Sequence, residues 1–339
     1  MAEPLFGKTL TELKELMRKL KLPPYAATQI ADWMYKKDIS SVDEMTNLSK
    51  KAREILSGEY TIGLTPPSEV QTSTDATKKY LFPVSGKNSI ESAYIPELNR
   101  NTLCVSSQAG CMRHCVFCMT GRQGLHGNLT AGEIVNQIKS LPERDTLTNL
   151  VYMGMGEPFD NFHEVMNSLE IITSPWGFNW SPKRITVSTI GIVPAVRKFL
   201  EISSCNLAIS LHSPFEDERK KLMPIEKAQP FKEIIKEIKS HDISRYRKIS
   251  IEYILFKGVN DSARHVNELA KVLSGVRCRV NLIHFHPIPG TELQGVPLAD
   301  MELFRDELNK KGILATIRKS RGQDISAACG LLSTKRSAL

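Results

Sequence analysis

From about residue 100 onward the chain alternates between short apolar strands and amphipathic helices, and this alternation restricts the fold more than any other feature. Strand-like runs lie near 103–106, 150–153, 184–187, 207–210, 249–255 and 280–284. Helical patterns lie between them near 130–140, 161–173, 193–203, 231–240 and 261–274, with another at 299–311. Thr130-Ala-Gly-Glu133 has the form of a capping box, and Gly275 and Gly312 stand where helices should end. Successive βα units place parallel strands in one sheet with helices outside it. Six units suit a partial barrel or a doubly wound sheet, and in both the functional site lies beyond the C-terminal strand ends.

The first hundred residues have a different character. Leu10, Leu13, Leu16 and Leu20 keep helical spacing, and Ile30, Trp33 and Met34 suggest a second apolar face, so residues 8–57 read as helices. Pro66-Pro67 marks a break, and 69–98 read as short strands. The expected organisation is a helical accessory unit over 1–60 and a short β linker or extension over 61–99. The βα domain follows over 100–325, then a C-terminal loop and basic tail over 326–339. The formal net charge of +8 favours a polyanionic partner, with solvated lysines as the bland alternative. No apolar run approaches a membrane span and the start lacks a signal-peptide pattern, so a cytoplasmic protein is expected. Seven cysteines, three of them clustered, argue for reduced thiols with chemical duties rather than a secreted disulfide framework.

The clustered three are Cys111, Cys115 and Cys118, on the loop that follows the first βα strand. Three thiolates on one short loop suit three irons of a cubane 4Fe-4S cluster and leave the fourth iron without a protein ligand. The alternative is structural zinc, which needs a closed tetrahedral shell. Here His114 or His126 would have to complete it, because there is no second Cys pair. The Cys-x-x-x-Cys-x-x-Cys spacing resembles the radical S-adenosylmethionine (SAM) superfamily, whose open iron binds the amino and carboxylate groups of SAM.

Other motifs fall at the ends of successive strands. Met153-Gly-Met-Gly-Glu-Pro158 follows the second strand, Ser188-Thr-Ile-Gly191 ends the third, and Ser210-Leu-His212 ends the fourth. Each alone is more often a tight turn, a helix cap or a satisfied polar group. Phe117, beside the third cysteine, suits either an adenine cover or a core position. Cys104 lies on the strand feeding the three-Cys loop, and Cys329 lies between Ala-Ala and Gly near the C-terminus. Cys205 and Cys278 read as buried structural thiols.

These motifs occur in one order: Cys-Val-Ser-Ser-Gln-Ala-Gly-Cys111, the three-Cys loop, Gly-Met-Gly-Glu-Pro158, Ser188-Thr-Ile-Gly-Ile, Ser210-Leu-His-Ser-Pro, Lys221-Leu-Met-Pro-Ile, Lys257-Gly-Val-Asn-Asp261 and Asp324-Ile-Ser-Ala-Ala-Cys-Gly. Over roughly residues 5–335 the sequence resembles the RlmN/Cfr family of radical SAM RNA adenine methyltransferases, and Glu91-Ser-Ala-Tyr-Ile-Pro-Glu97 resembles its RlmN branch. The resemblance implies an α/β fold: a partial (β/α)6 radical SAM barrel with a small N-terminal helical domain and a short β extension. It implies a 4Fe-4S cluster on Cys111, Cys115 and Cys118, and two SAM molecules per turnover. Gly156, Glu157, Ser188, Ser210, Leu211 and His212 are the implied SAM contacts. His286 stands where many relatives have Asn, and a ring nitrogen can still serve as a hydrogen-bonding group there.

In the implied reaction Cys329 takes a methyl group from one SAM. A radical derived from a second SAM activates that methyl for addition to adenine carbon 2, Glu91 removes the C2 proton, and Cys104 forms a disulfide with Cys329 to release the base. Arg318 and Arg321 are candidates to favour the Cys329 thiolate. The implied substrates are 23S ribosomal RNA and transfer RNA, with the N-terminal helical unit over 1–60 as a candidate RNA contact and Lys50, Lys51, Lys183 and Arg184 as candidate phosphate contacts. A flavodoxin or ferredoxin is the implied electron donor, and a monomer is expected. The competing readings are methylation at adenine carbon 8, as in Cfr, and a zinc-bound RNA-binding module without catalysis.

Overall fold

The computed structural model describes residues 2–243 and 247–333. The sheet contains ten strands. From one edge they run Glu69–Thr72, Lys78–Val84, Asn88–Glu97, Arg100–Cys104, Asn149–Tyr152, Ile185–Thr189, Asn206–Ser210, Ile249–Leu255, Cys278–His284 and Ala315–Arg318. The first four are joined antiparallel, and every pairing from Arg100–Cys104 onward is parallel. Each parallel strand lies beside its successor in the chain. A doubly wound sheet reverses its order at a switch point. This sheet never does, so it winds one way as a partial barrel.

The six expected strands are present, and a seventh parallel strand, Ala315–Arg318, continues the barrel. Its sequence gives little signal, because only Ala315 of its four residues is buried. The helices match the amphipathic segments, and Thr130 with Glu133 forms the expected reciprocal cap on Ala131–Lys139. Gly275 and Gly312 follow the ends of Ala263–Leu273 and Leu298–Lys310.

The N-terminal residues form helices Leu10–Lys19, Ala26–Lys36 and Lys50–Glu59, clasped by a parallel pair between Glu3–Pro4 and Tyr60–Thr61. This unit shares one apolar core with the barrel. Tyr35 lies edge-on to Phe178 and packs against Trp176, while its hydroxyl donates to the Lys8 carbonyl. The strands over 69–97 extend the barrel sheet itself, since Ala93 pairs with Cys104. Among the described residues no helix is long and apolar enough to cross a membrane. The basic tail beyond Ser333 lies outside the described residues.

Candidate active site

The three-Cys loop is pinched off by a hairpin that pairs Gln108–Gly110 with Leu125–Asn128. Gly110 has φ +80°, and a Cβ on it would lie 1.8 Å from the Gly124 carbonyl oxygen, so only glycine closes this hairpin. The Cys111 N–H donates to that same carbonyl at 2.9 Å. Cys111 and Cys115 are buried and Cys118 half-buried. Burial raises all three thiols, Cys111 to about 12, and the charges of Cys111 and Cys118 add to the effect on Cys115. Thiols that disfavour one another's ionisation in a buried loop are relieved by bound cations.

The donor set is three thiolates on one short loop, which suits a cubane cluster with one open iron, whereas structural zinc needs a fourth ligand to close its shell. His114 and His126 are exposed, and His114 Nδ1 lies 3.1 Å from the Gly121 carbonyl.

Glu157 is buried behind this loop. Its carboxylate accepts from Thr189 Oγ1 at 2.5 Å, from the Ile190 N–H at 2.9 Å and from the Phe159 N–H at 3.0 Å. Burial nevertheless lifts its pKa to about 7, against those donors. Gly156 passes tightly over Gln108, whose side-chain oxygen accepts the Glu157 N–H. Ser188 and Ser210 are half-buried at their strand ends, with Ser188 paired to Ala208 and Ser210 to Glu252.

Leu211 is fully buried. His212 has φ +58° and is held from three sides: the Ile254 N–H donates to its Nδ1 at 3.0 Å, Asn260 Nδ2 donates to its carbonyl at 2.6 Å, and Phe117 meets its ring edge at 4.7 Å. Burial first, then the Arg219 charge, lowers its pKa to about 3. A neutral ring accepting at Nδ1 carries its proton on Nε2 and offers a donor there. Phe117 is buried in an apolar group with Cys115, Ile190 and Phe256.

Cys104 and Cys329 line one cavity of about 670 Å³ inside the barrel, together with Met153, Arg318, His286 and Glu252. Both thiols are free. Cys104 is buried and its pKa is pushed up to about 12, by burial first and then by the Cys329 charge, with Arg318 opposing. The Cys329 charge is the largest influence holding Arg318 protonated. Arg321 instead turns toward Asp75, 3.9 Å away. Of the SAM contacts expected from the sequence, only His286 lines this cavity. Its Nε2 is bonded to Ser320 Oγ, its buried Nδ1 has no partner among the described residues, and burial together with His284 lowers its pKa.

Glu91 stands on the strand beside Arg100–Cys104, on the same face as Ala93, the residue paired with Cys104. Lys79 Nζ lies 3.0 Å from its Oε1, and the Ser333 N–H donates to Oε2 at 2.9 Å. Burial raises its pKa, with Lys79 and Ser333 opposing. The C-terminal segment also lies against the cluster loop: the Gly330 carbonyl accepts from Met119 N–H at 2.8 Å and the Leu332 carbonyl from Thr120 Oγ1 at 2.7 Å. This strap brings Cys329, Glu91 and the three-Cys loop to one end of the barrel. Lys183 lies instead at the opposite end, just before the strand Ile185–Thr189, and Lys50 and Lys51 open the third N-terminal helix.

Sequence reasoning missed the supports. Gln108 orients Glu157. Asn260 donates to the His212 and Ile254 carbonyls and accepts the Phe256 N–H. Ser106 Oγ donates to the Glu91 carbonyl and accepts the Met155 N–H. Each sat inside a quoted motif, Ser106 and Gln108 in Cys-Val-Ser-Ser-Gln-Ala-Gly-Cys111 and Asn260 in Lys257-Gly-Val-Asn-Asp261, but the motifs gave these positions no role.

The chain is similar to known proteins over nearly its whole length. The radical SAM superfamily profile matches residues 105–270, and that of the ribosomal RNA large subunit methyltransferase N-terminal domain matches 4–62. The chain is 54% identical over 333 residues to a Bacteroides fragilis protein named "Probable dual-specificity RNA methyltransferase RlmN", covering 98% of this chain and 97% of that one. It is 42% identical to the Dichelobacter nodosus "Dual-specificity RNA methyltransferase RlmN" over 320 residues, covering 91% and 88%. A crystal structure of a radical SAM methyltransferase from Sphaerobacter thermophilus superposes with a TM-score of 0.88 at 38% identity, covering 97% of this chain and 99% of that one.

Proposed function

The chain belongs to the RlmN family of radical SAM RNA methyltransferases, and from that premise we propose that it methylates carbon 2 of adenine in 23S ribosomal RNA and in transfer RNA. Cys329 carries the methyl group, Glu91 takes the C2 proton and Cys104 resolves the adduct. The observation that supports this most is the convergence of Cys329, Cys104 and Arg318 on one cavity, with Glu91 on the neighbouring strand face.

Cys111, Cys115 and Cys118 would hold the 4Fe-4S cluster, which when bound supplies the electron for reductive SAM cleavage. Glu157, with the Gly156 backbone, receives the SAM ammonium group. Ser188, Ser210, Leu211, the Nε2–H of neutral His212 and His286 orient the rest of SAM. The methyl on Cys329 comes from one SAM and the activating radical from a second.

The two reactive thiols differ in exposure. Cys329 is exposed and accessible to a methyl sulfonium as a nucleophile, whereas Cys104 is buried. Burial and the Cys329 charge keep Cys104 protonated. Once Cys329 is alkylated that charge is gone, and the opposing pull of Arg318 falls on Cys104 alone. Cys104 thiolate then attacks the Cys329 sulfur, the sulfur–carbon bond breaks with its electron pair passing to the carbon on the base, that carbon takes a proton to become the methyl group, and a disulfide forms that a thiol reductant must reset. The adenine leaves its stack to reach this site. We place the enzyme in the cytoplasm as a monomer reduced by a flavodoxin or ferredoxin.

The test uses anaerobically reconstituted enzyme and unmodified 23S RNA. Cys329→Ala retains the cluster and transfers no methyl, and Cys104→Ala accumulates a covalent protein–RNA adduct through Cys329. Free methylated RNA at normal yield from either variant overturns the assigned roles. Methyl found on carbon 8 by mass spectrometry of digested wild-type product overturns the position.

A further inference from the structure

One buried cation stands behind the SAM-binding strand ends. Arg219, on the helix Glu216–Leu222, is 1% exposed. Its Nη2 donates to the Ile190 carbonyl at 2.8 Å and to the Ser210 carbonyl at 3.1 Å, and its Nε donates to the Leu211 carbonyl at 3.2 Å. Its Nη1 pairs with Glu226, itself buried, whose carboxylate also accepts the Phe231 N–H. The same short segment reaches the cluster loop, because the Val116 N–H donates to the Leu222 carbonyl at 3.1 Å. The Arg219 charge also acts on Cys115.

We propose that Arg219 is the positioning residue that fixes the SAM pocket against the cluster loop. This rests on the reading of Ser188, Ser210, Leu211 and His212 as SAM contacts. A planar guanidinium spans several acceptors at once, whereas an ammonium is a point charge. Strand ends leave carbonyl lone pairs outside the ladder, and one side chain here reaches three such carbonyls, that of Leu211 also accepting the Ser213 N–H at 2.8 Å. With those carbonyls committed, the Ser210 side chain, the Leu211 backbone and the His212 ring are held in one register. The tie from Leu222 to Val116 sets that register relative to Cys115. Lys221-Leu-Met-Pro-Ile, a motif to which the sequence reading gave no role, is thereby the strut between two halves of one site.

The test uses reconstituted holoenzyme and SAM alone as the probe, without RNA. Arg219→Lys keeps the cation and its buried partner Glu226 but cannot reach three carbonyls. The paired change Arg219→Met with Glu226→Gln removes both charges together, which leaves no ion buried alone. Expected for both is wild-type iron content with a SAM Kd raised about tenfold or more, the scale of one lost charge-assisted hydrogen bond. Expected for Arg219→Lys is a cluster midpoint potential near wild type, and for the paired variant a more negative one. Wild-type SAM affinity in either iron-replete variant overturns the proposal. An unfolded or iron-free Arg219→Lys protein also overturns it, since the residue then serves the fold alone. Wild-type holoenzyme that binds no SAM overturns the underlying site reading instead.

Discussion

At the scale of single residues, two carboxylates are shifted upward for the same first reason, burial, and each shift has its own measurable consequence. Glu157 titrates near 7 in the folded protein against 4.5 for a free side chain. A raised carboxyl favours the folded state while it stays protonated. Its contribution is therefore fully present below 4.5 and is lost as pH rises to about 7, on the order of 3 kcal/mol. Ionised Glu157 is the form that meets the SAM ammonium, so holoenzyme affinity for SAM strengthens as pH rises through about 7. Glu157→Gln should flatten that profile while stabilising the apoprotein at alkaline pH. A Kd that is flat from about pH 6 to about pH 8 in the wild type rules the pairing out. For Glu91, Lys79 opposes the upward shift. Lys79→Met should move the acidic limb of the kcat profile to higher pH, and an unmoved limb denies Glu91 the proton-transfer role. The sequence named both carboxylates, through motifs. It assigned no role to Lys79 or to Gln108, although both lie in segments it singled out, because their contacts with Glu91 and Glu157 form only once the chain has folded.

At the scale of elements, function rests on short connections rather than on the long helices. The hairpin that closes the three-Cys loop depends on Gly110, whose missing side chain leaves room for the Gly124 carbonyl. Gly110→Ala should lose most of its iron after reconstitution while the barrel helices keep their circular dichroism signal, and wild-type iron content would contradict this. A second connection holds the loop that leads to Cys329. Asp75 accepts the Gly322 N–H, and Asp324 accepts from Ser73 Oγ, so the turn of the β extension grips residues 320–324. The strands of that extension were legible because Lys79-Tyr-Leu-Phe-Pro carries strand propensity. Its grip on the C-terminal loop was not, because hydrogen bonds between residues some 250 positions apart leave no local pattern.

At the scale of the whole molecule, the N-terminal unit and the barrel meet through a contact that excludes side chains. A Cβ on Gly132 would lie 2.5 Å from the Phe6 carbonyl oxygen, and one on Gly7 would lie 2.3 Å from Gly132 Cα. Gly132→Ala should destabilise the protein by about 1–3 kcal/mol, as overpacking does. Denaturant unfolding with unchanged stability would show that the two units yield to the extra methyl. The sequence by itself determined the βα alternation, the helix caps and the residue types at the strand ends. These follow from periodicity and from chemistry that only particular side chains supply. The tertiary structure decided between barrel and doubly wound sheet, because that choice lies in strand order and no strand encodes its neighbour. It also added the seventh strand, Ala315–Arg318, whose four residues, one buried and three half-buried, carry no alternating strand signature of their own. It brought Cys104, 225 residues from Cys329 in the chain (329 − 104), into the same cavity with Arg318. Motif spacing names the groups that can react, and only the closing of the sheet brings them together, because the burial and charge that set their ionisation come from neighbours distant in the chain.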